Sequence, residues 1–208
     1  MLIVPKPIKN LADSLSQLPG IGPRQSLRLA FFLIRQPKEK KLEFYKSLKE
    51  VFSKIKLCSD CFFPFEARQN ETLCEICRDK TRNRSLICVV EKETDVLSIE
   101  NTNKYRGLYH ILGGLVSDID EKKNQEITLK QLLLRIQNRA KQNQPVKEII
   151  LALNPTSEGN LTSYYLEKEI KKLNLSLKIT KLARGLPTGG DIEFADSETL
   201  ISALEGRK

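Results

Sequence analysis

Four of the five cysteines are arranged in two Cys-x-x-Cys pairs, which is the pattern in this sequence with the most definite chemistry. Cys58 and Cys61 form the first pair, Cys74 and Cys77 the second, and twelve residues separate the pairs. Each pair makes a tight knuckle that points two thiolates at one ion, and two knuckles complete the tetrahedral shell that Zn²⁺ prefers. Because four protein ligands leave no open position, we predict a structural zinc site. Two redox dithiols or an iron–sulfur cluster are the alternatives, although a redox Cys-x-x-Cys normally opens a helix after a strand.

Two other side chains of potential chemical use lie in short apolar segments. Cys88 lies within the apolar run 86–90, and we predict that it is an inert core residue. His110, the one histidine, has no Ser or Cys partner at a spacing that suggests catalysis, so we predict a core or strand-end histidine.

A glycine turn, Gly20-Ile21-Gly22, separates two predicted helices and is followed by Arg24 and Arg28. Such a turn exposes backbone N–H groups at the start of a helix, where they and the helix dipole bind phosphate without reading base sequence. Arg24 and Arg28 are four residues apart and share a helix face, so they could extend this contact, while Ile21 points inward. The turn resembles the helix–hairpin–helix motif of DNA-repair proteins. An ordinary helical hairpin is the alternative.

A third group of polar residues follows two predicted strands: Glu91, with Asp95 after it, and Asn154, Thr156 and Glu158. The group resembles the metal site of Toprim domains, but Asn154 and Thr156 stand where catalytic members have aspartates. Mg²⁺ prefers charged oxygen ligands, and metal-assisted phosphoryl transfer needs a firmly held ion. We therefore predict a degenerate, non-catalytic site, in which Glu91 caps the following helix or pairs with a basic residue.

The elements that must position these residues change character along the chain. We predict helices over residues 9–17, 23–35 and 42–55, and then an alternation of apolar strands and amphipathic helices. The strands are predicted at 86–90, 108–112, 148–153 and from 175, and the helices from a Thr128 cap and at 161–173. Alternating strands and helices predict a parallel α/β layer over residues 80–182.

The charge of the chain is unevenly distributed. Residues 1–88 contain 17 Lys and Arg against 9 Asp and Glu, whereas residues 89–208 contain 18 against 17, so most of the net charge of +9 lies in the first part. This asymmetry favours a region that binds a polyanion, with a solvated lysine-rich surface as the alternative. The apolar run before Pro5 is too short for a secretory segment, and no later segment approaches a membrane span. The polar stretch 117–126 is predicted to be an exposed loop.

Taken together, these parts resemble the RecR family of bacterial recombination mediators over essentially the whole chain. The matching segments, besides the four cysteines, are 18–24, 89–91, 154–159, 183–187 and 189–193. The resemblance implies a ring-shaped tetramer that encircles DNA and acts with RecO, and in many bacteria RecF, to load RecA onto SSB-coated strands. It also implies a bacterial cytoplasmic, nucleoid-associated protein with no membrane partner. The sequence departs from the family pattern in the loop after Gly113-Gly114, so partner contacts there could differ.

The sequence therefore predicts a protein of several parts. These are a helix–hairpin–helix DNA-binding region (1–56), a four-cysteine zinc finger (57–79), a Toprim-like domain (80–175) and a C-terminal strand and helix tail for assembly (176–208). We expect a DNA-binding mediator of repair that is not an enzyme. A Toprim nuclease or primase is the first alternative, and a zinc-ribbon protein that binds RNA or ribosomes is the second.

Overall fold

The computed structural model describes residues 4–116 and 127–207, so the predicted loop at 117–126 lies outside the described residues. The chain divides into two compact units, Met1–Ile55 and Lys56–Lys208. Among the helices of the described residues, none combines the length and the apolar character that crossing a membrane requires.

The first unit consists of three helices. They are α1 (Lys6–Ser16), α2 (Pro23–Arg35) and α3 (Lys38–Lys54). The first two pack against each other through small buried side chains, Ala12, Ser26 and Ala30. Pro37 ends α2, because the residue before a proline avoids the helical conformation and Gln36 is extended. The predicted amphipathic helix α3 is present, but none of its residues is buried within the chain.

The second unit begins with the cysteine segment. Two short strands, β1 (Ile55–Leu57) and β2 (Pro64–Glu66), form a two-stranded sheet, and the second cysteine pair is held by the short helix α4 (Glu75–Arg78). We refer to residues 58–78 as the metal knuckles.

A four-stranded sheet follows, with helices in the connections between its strands. The strands are β3 (Asn83–Val90), β4 (Gly107–Ile111), β5 (Glu148–Ala152) and β6 (Lys178–Lys181). The helices are α5 (Glu93–Asn101), α6 (Leu129–Lys141) and α7 (Ser157–Lys171), and the tail holds a 3-10 helix (Ile192–Phe194) and α8 (Ser197–Glu205). The spatial order is β4-β3-β5-β6 and every described pair is parallel, which confirms the predicted α/β layer.

The sheet is covered on both faces, as its continuous apolar strands predict. Alternate residues of β3 enter two different cores: Ile87 and Val89 pack with α6 and α7, whereas Cys88 and Val90 pack on the other face. That second face is covered by α5 and by the metal knuckles, since Phe62 and Phe63 pack against the same core. The metal knuckles thus pack directly against one face of the sheet.

Two local predictions were wrong. Residues 175–177 do not belong to the last strand, because β6 pairs only from Lys178, opposite Glu148, where β5 itself begins. Thr128 does precede α6, but its side chain makes no cap hydrogen bond. Its hydroxyl instead donates to the carbonyl oxygen of Ile111, at 2.6 Å, and so ties the start of α6 to β4.

Candidate metal centre and nucleic-acid interface

The four paired cysteines come together at one point in the second unit. Their sulfur atoms all lie within 4.8 Å of one another, and all four residues are buried. A tetrahedral ion with metal–sulfur bonds of about 2.3 Å needs sulfurs roughly 3.8 Å apart, and Cys61 Sγ lies 3.5 Å from Cys74 Sγ. The donor set therefore fits a tetrahedral, thiophilic cation.

Backbone hydrogen bonds shape the first knuckle. The N–H of Phe62 donates to the Cys58 carbonyl at 3.0 Å, and the N–H of Cys58 donates to the Phe63 carbonyl at 2.9 Å. Phe62, which directly follows Cys61, takes a left-handed backbone angle, φ 67°, so the chain reverses just after the Cys-x-x-Cys pair. In the second knuckle, Cys74 precedes α4 and its carbonyl accepts from the Arg78 N–H at 3.0 Å.

Crowding of the thiols favours a bound cation. Hydrogen bonds from Cys61 and Cys74 hold the pKa of the Cys58 thiol far below its usual range, whereas contacts with Cys58 and Cys74 raise the pKa of the Cys61 thiol. A divalent cation resolves this conflict, because it stabilises all four groups as thiolates. Cys88 stands apart: burial raises the pKa of its thiol to about 12, as expected of an inert core residue.

The metal knuckles are fastened to the sheet by hydrogen bonds that the sequence pattern did not predict. The Cys61 carbonyl accepts from the Ile111 N–H at 3.0 Å, which satisfies a backbone donor of the edge strand β4. Arg135 of α6 bridges the two parts, donating to the Tyr109 carbonyl at 2.6 Å and to the Asp60 carboxylate at 3.0 Å.

His110 is a core residue, as predicted. It is fully buried, and its Nε2 lies 3.0 Å from the Thr128 hydroxyl. Its ring packs edge-on against Phe62, which belongs to the first knuckle. Burial lowers the pKa of His110 to about 3, so the ring is neutral at physiological pH.

The glycine turn lies in the first unit, between α1 and α2. Gly20 has a left-handed backbone angle, φ 78°, which glycine adopts without strain, and Gly22 immediately precedes the first residue of α2, Pro23. No side chain caps this helix and no acidic residue lies in its first turn. Its positive end is therefore open to an anion.

The predicted DNA-contact residues surround this helix start. Arg24 and Arg28 are exposed and, with Gly22, Pro23 and Gln25, line an open cavity of about 550 Å³. Ile21, predicted to point inward, is half-buried, and its N–H donates to the Leu18 carbonyl at 3.1 Å. The positive end of α2 and two exposed guanidinium groups thus lie at the same turn, an arrangement suited to binding phosphate.

The Toprim-like residues lie at the carboxyl ends of β3 and β5. The side-chain amide of Asn154 donates to the Glu91 carboxylate at 3.2 Å. The expectation that Glu91 caps the next helix or pairs with a basic residue was therefore wrong. The residue that caps α5 is Asp95, whose carboxylate accepts from the Lys92 N–H at 3.1 Å.

The remaining two residues of that group sit at the start of α7. Thr156 caps the helix, accepting from the Gly159 N–H at 3.1 Å, and Glu158 is exposed in its first turn. A Cβ on Gly159 would lie 2.0 Å from the Asn154 carbonyl oxygen, so this turn requires glycine. Within residues 4–116 and 127–207, the cysteines are the one group of three or more acidic, His or Cys side chains placed to hold a metal.

A cavity of about 830 Å³ opens beside Asn154, where α/β sheets commonly bind ligands. Its basic residues are engaged: Lys181 pairs with Glu167 at 2.8 Å, and Arg184 bonds the Asn160 side chain at 2.9 Å and pairs with Glu198 of α8. These contacts tie the tail to α7, so the two basic side chains are already paired and are not free to bind a phosphate.

The parts define a class of protein: a helix–hairpin–helix followed by four clustered cysteines and a Toprim domain, with a short C-terminal tail. Comparison with family models gives the same parts in the same order. The models described as "RecR, helix-hairpin-helix", "Toprim domain" and "RecR, C-terminal" match residues 8–52, 85–183 and 185–208.

Relatives from several bacteria extend this match over the whole chain. A "Recombination protein RecR" of Roseiflexus sp. (strain RS-1) is 42% identical over 99% of this chain and 95% of its own length. The protein of that name from Gloeobacter violaceus is 41% identical over 98% of both chains. The chain belongs to the RecR family of recombination proteins.

Proposed function

We propose that this protein is a zinc-containing, DNA-binding recombination mediator that carries out no phosphoryl chemistry of its own. The observation that carries the proposal is the hydrogen bond from Asn154 to Glu91. An amide N–H takes an acceptor that Mg²⁺ would need, and an amide and a hydroxyl at positions 154 and 156 supply no charged ligand. The Toprim layer then serves binding and assembly.

Zinc is the metal that the four buried cysteines suit best. Four thiolates in a tetrahedral cluster are typical of structural Zn²⁺, and a closed ligand shell leaves no position for a substrate. The role of the ion is to hold together the metal knuckles, whose small size offers little apolar core of their own.

DNA contact is assigned to the first unit, at Gly20, Ile21, Gly22, Arg24 and Arg28. The open positive end of α2 and the two exposed arginines support this assignment. Contacts of this kind reach the phosphate backbone and not the base edges, so binding does not depend on base sequence. This suits a mediator that acts wherever a strand is damaged.

Assembly into a homo-tetrameric ring is supported by apolar surface that the chain itself leaves uncovered. In α3, Tyr45 and Phe52 are 62% and 81% exposed, and in the tail Phe194 is 80% exposed. Such residues mark surfaces that a partner covers. Two separate apolar surfaces per chain, one in each unit, allow a closed ring of identical copies, since a single kind of contact gives only a dimer when it is isologous.

The proposed partners are RecO and RecF, with RecA and SSB acted on indirectly, in the cytoplasm at the nucleoid. The resemblance and the family membership support this proposal. A Toprim nuclease or primase remains the second candidate, because the Toprim model matches residues 85–183 and Glu91 is retained.

The experiment that tests the proposal follows RecA assembly on SSB-coated single-stranded DNA with RecO and this protein present. We expect the protein to accelerate assembly, and the double variant Arg24→Ala, Arg28→Ala to lose most of that effect. Acceleration that is equal in the parent and the double variant would contradict the DNA-contact assignment. No acceleration by the parent, with or without RecF, would contradict the mediator function.

A further inference from the structure

Two arginines of the α/β layer bond the metal knuckles directly, and a third bonds the backbone of one of these two. Arg84 Nη2 donates to the Cys77 carbonyl at 2.6 Å, and Arg139 Nη1 donates to the Arg84 carbonyl at 2.8 Å. Arg135 bonds Asp60, which stands between the two ligands of the first knuckle. Arg135 and Arg139 are buried and Arg84 is partly buried, so their charges are poorly screened by water.

The positive charge of this group exceeds its carboxylate partners. Asp60 neutralises Arg135, but within residues 4–116 and 127–207 neither Arg84 nor Arg139 has a carboxylate within ion-pair distance. Both use their hydrogen bonds on carbonyl oxygens. A buried cation without a counter-charge is costly, and several close together are more so.

The hydrogen bonds point to where the missing negative charge lies. Arg84 bonds the carbonyl of Cys77, one of the four clustered cysteines, and Arg139 bonds the Arg84 carbonyl, so both cations are linked to the second knuckle. Four thiolates with one divalent cation carry a formal charge of −2, which equals the surplus of the two unpaired arginines.

We propose that Arg84 and Arg139 balance the charge of the buried metal–thiolate centre and are positioning residues of the metal site, although neither is a ligand. The proposal rests on the proposed zinc and deepens it. Without a bound metal–thiolate centre, the two arginines have no counter-charge among the described residues. Their presence therefore favours the bound ion over the empty site.

The test measures the zinc dissociation constant of the full chain by competition with a chromophoric chelator. We expect Arg84→Gln and Arg139→Gln each to weaken zinc binding by about tenfold or more, the range typical of residues that support metal ligands. Arg139→Lys, which keeps the charge, should recover most of the loss. Arg82→Gln is the matched control, because Arg82 is equally buried but its charge is balanced by the carboxylates of Glu100 and, at 3.8 Å, Asp79.

The outcomes separate this proposal from the zinc assignment. A parent protein that holds no zinc would contradict the zinc assignment and, with it, the charge balance. A parent with one tightly bound zinc, and the same affinity in Arg84→Gln and Arg139→Gln, would overturn the charge balance alone. An equal loss in Arg82→Gln would overturn it too, since the effect would then reflect general destabilisation. If Arg139→Gln does not fold, Arg84→Gln decides, because its side chain is only partly buried and the Arg139 hydrogen bond goes to its backbone.

Discussion

The side-chain amide of Asn154 donates a hydrogen bond of 3.2 Å to the carboxylate of Glu91, joining the carboxyl ends of two adjacent parallel strands. In a Toprim site that binds Mg²⁺, carboxylates at such positions share a metal ion. Here the same space is bridged by an N–H group, which is neutral and already part of the fold. The Glu91 carboxylate therefore has a hydrogen-bond donor as its partner where a Toprim enzyme would place a cation.

This relationship predicts the effect of Asn154→Asp. The change replaces the donor with a second carboxylate beside Glu91, and the repulsion should lower the free energy of unfolding by about 1–2 kcal/mol. Added Mn²⁺ should raise the Tm of the variant and leave that of the parent unchanged, because only the variant offers two carboxylates. Asn138→Asp, at an exposed position of α6, is the control for added charge. An equal response to Mn²⁺ in all three proteins would refute the prediction.

The DNA-contact assignment predicts a change in salt dependence. In Arg24→Ala, Arg28→Ala, binding to any DNA sequence should weaken about equally, and the slope of log affinity against log salt should flatten by up to about two. The control is Lys168→Ala, Lys171→Ala, which removes the same charge from exposed positions of α7. Mobility-shift titrations at several salt concentrations measure both variants. The same loss in the control would show that net charge, and not the glycine turn, governs binding.

The metal centre predicts one zinc per chain and a folding defect when a ligand is lost. Cys74→Ser should give protein that is insoluble or lacks metal, because binding energy at a structural site is largely folding energy. Cys88→Ala removes a buried cysteine outside the centre and should keep its zinc. Elemental analysis of both variants and the parent tests this. Iron in the parent, or a normal fold in Cys74→Ser, would contradict the structural zinc site.

The exposed face of α3 predicts a role in assembly. Phe52→Glu should reduce the mass of the assembly measured by sedimentation at fixed protein concentration, since a charge would enter an apolar contact. Its secondary structure should be retained, because Phe52 is 81% exposed in the single chain. Lys49→Gln, on the same helix, controls for the same change of one unit in net charge. A parent that sediments as a monomer would remove the basis of the prediction.

Local patterns in the sequence predicted the fold well, and the contacts between distant segments poorly. The cysteine pairs, the glycine turn and the apolar strands each carry their signal within about 20 residues, the range over which spacing and periodicity act. Asn154 and Glu91 are 63 positions apart, and Arg135 and Asp60 are 75 apart. Their contacts depend on how strands and knuckles pack, and no short-range spacing marks them.

The arginines show this limit most clearly. Arg135 and Arg139 are four residues apart on α6 and so share one face of the helix. Two charged residues on one face normally predict that the face is exposed to solvent. The structure buries both of them, and their guanidinium groups donate to the Tyr109 and Arg84 carbonyl oxygens of strands β4 and β3. Only the packing reveals these contacts, so the sequence pattern alone could not assign the two residues a role.

This protein is proposed to bind DNA without metal-dependent phosphoryl chemistry. The most direct measurement is binding and cleavage of gapped duplex DNA by the parent and by Glu91→Ala, in EDTA and in Mg²⁺ or Mn²⁺, with the zinc retained throughout. We expect binding in EDTA to equal that in Mg²⁺ at matched ionic strength, and no nicking in either protein. Metal-dependent cleavage by the parent that disappears in Glu91→Ala would contradict the account and establish a Toprim nuclease.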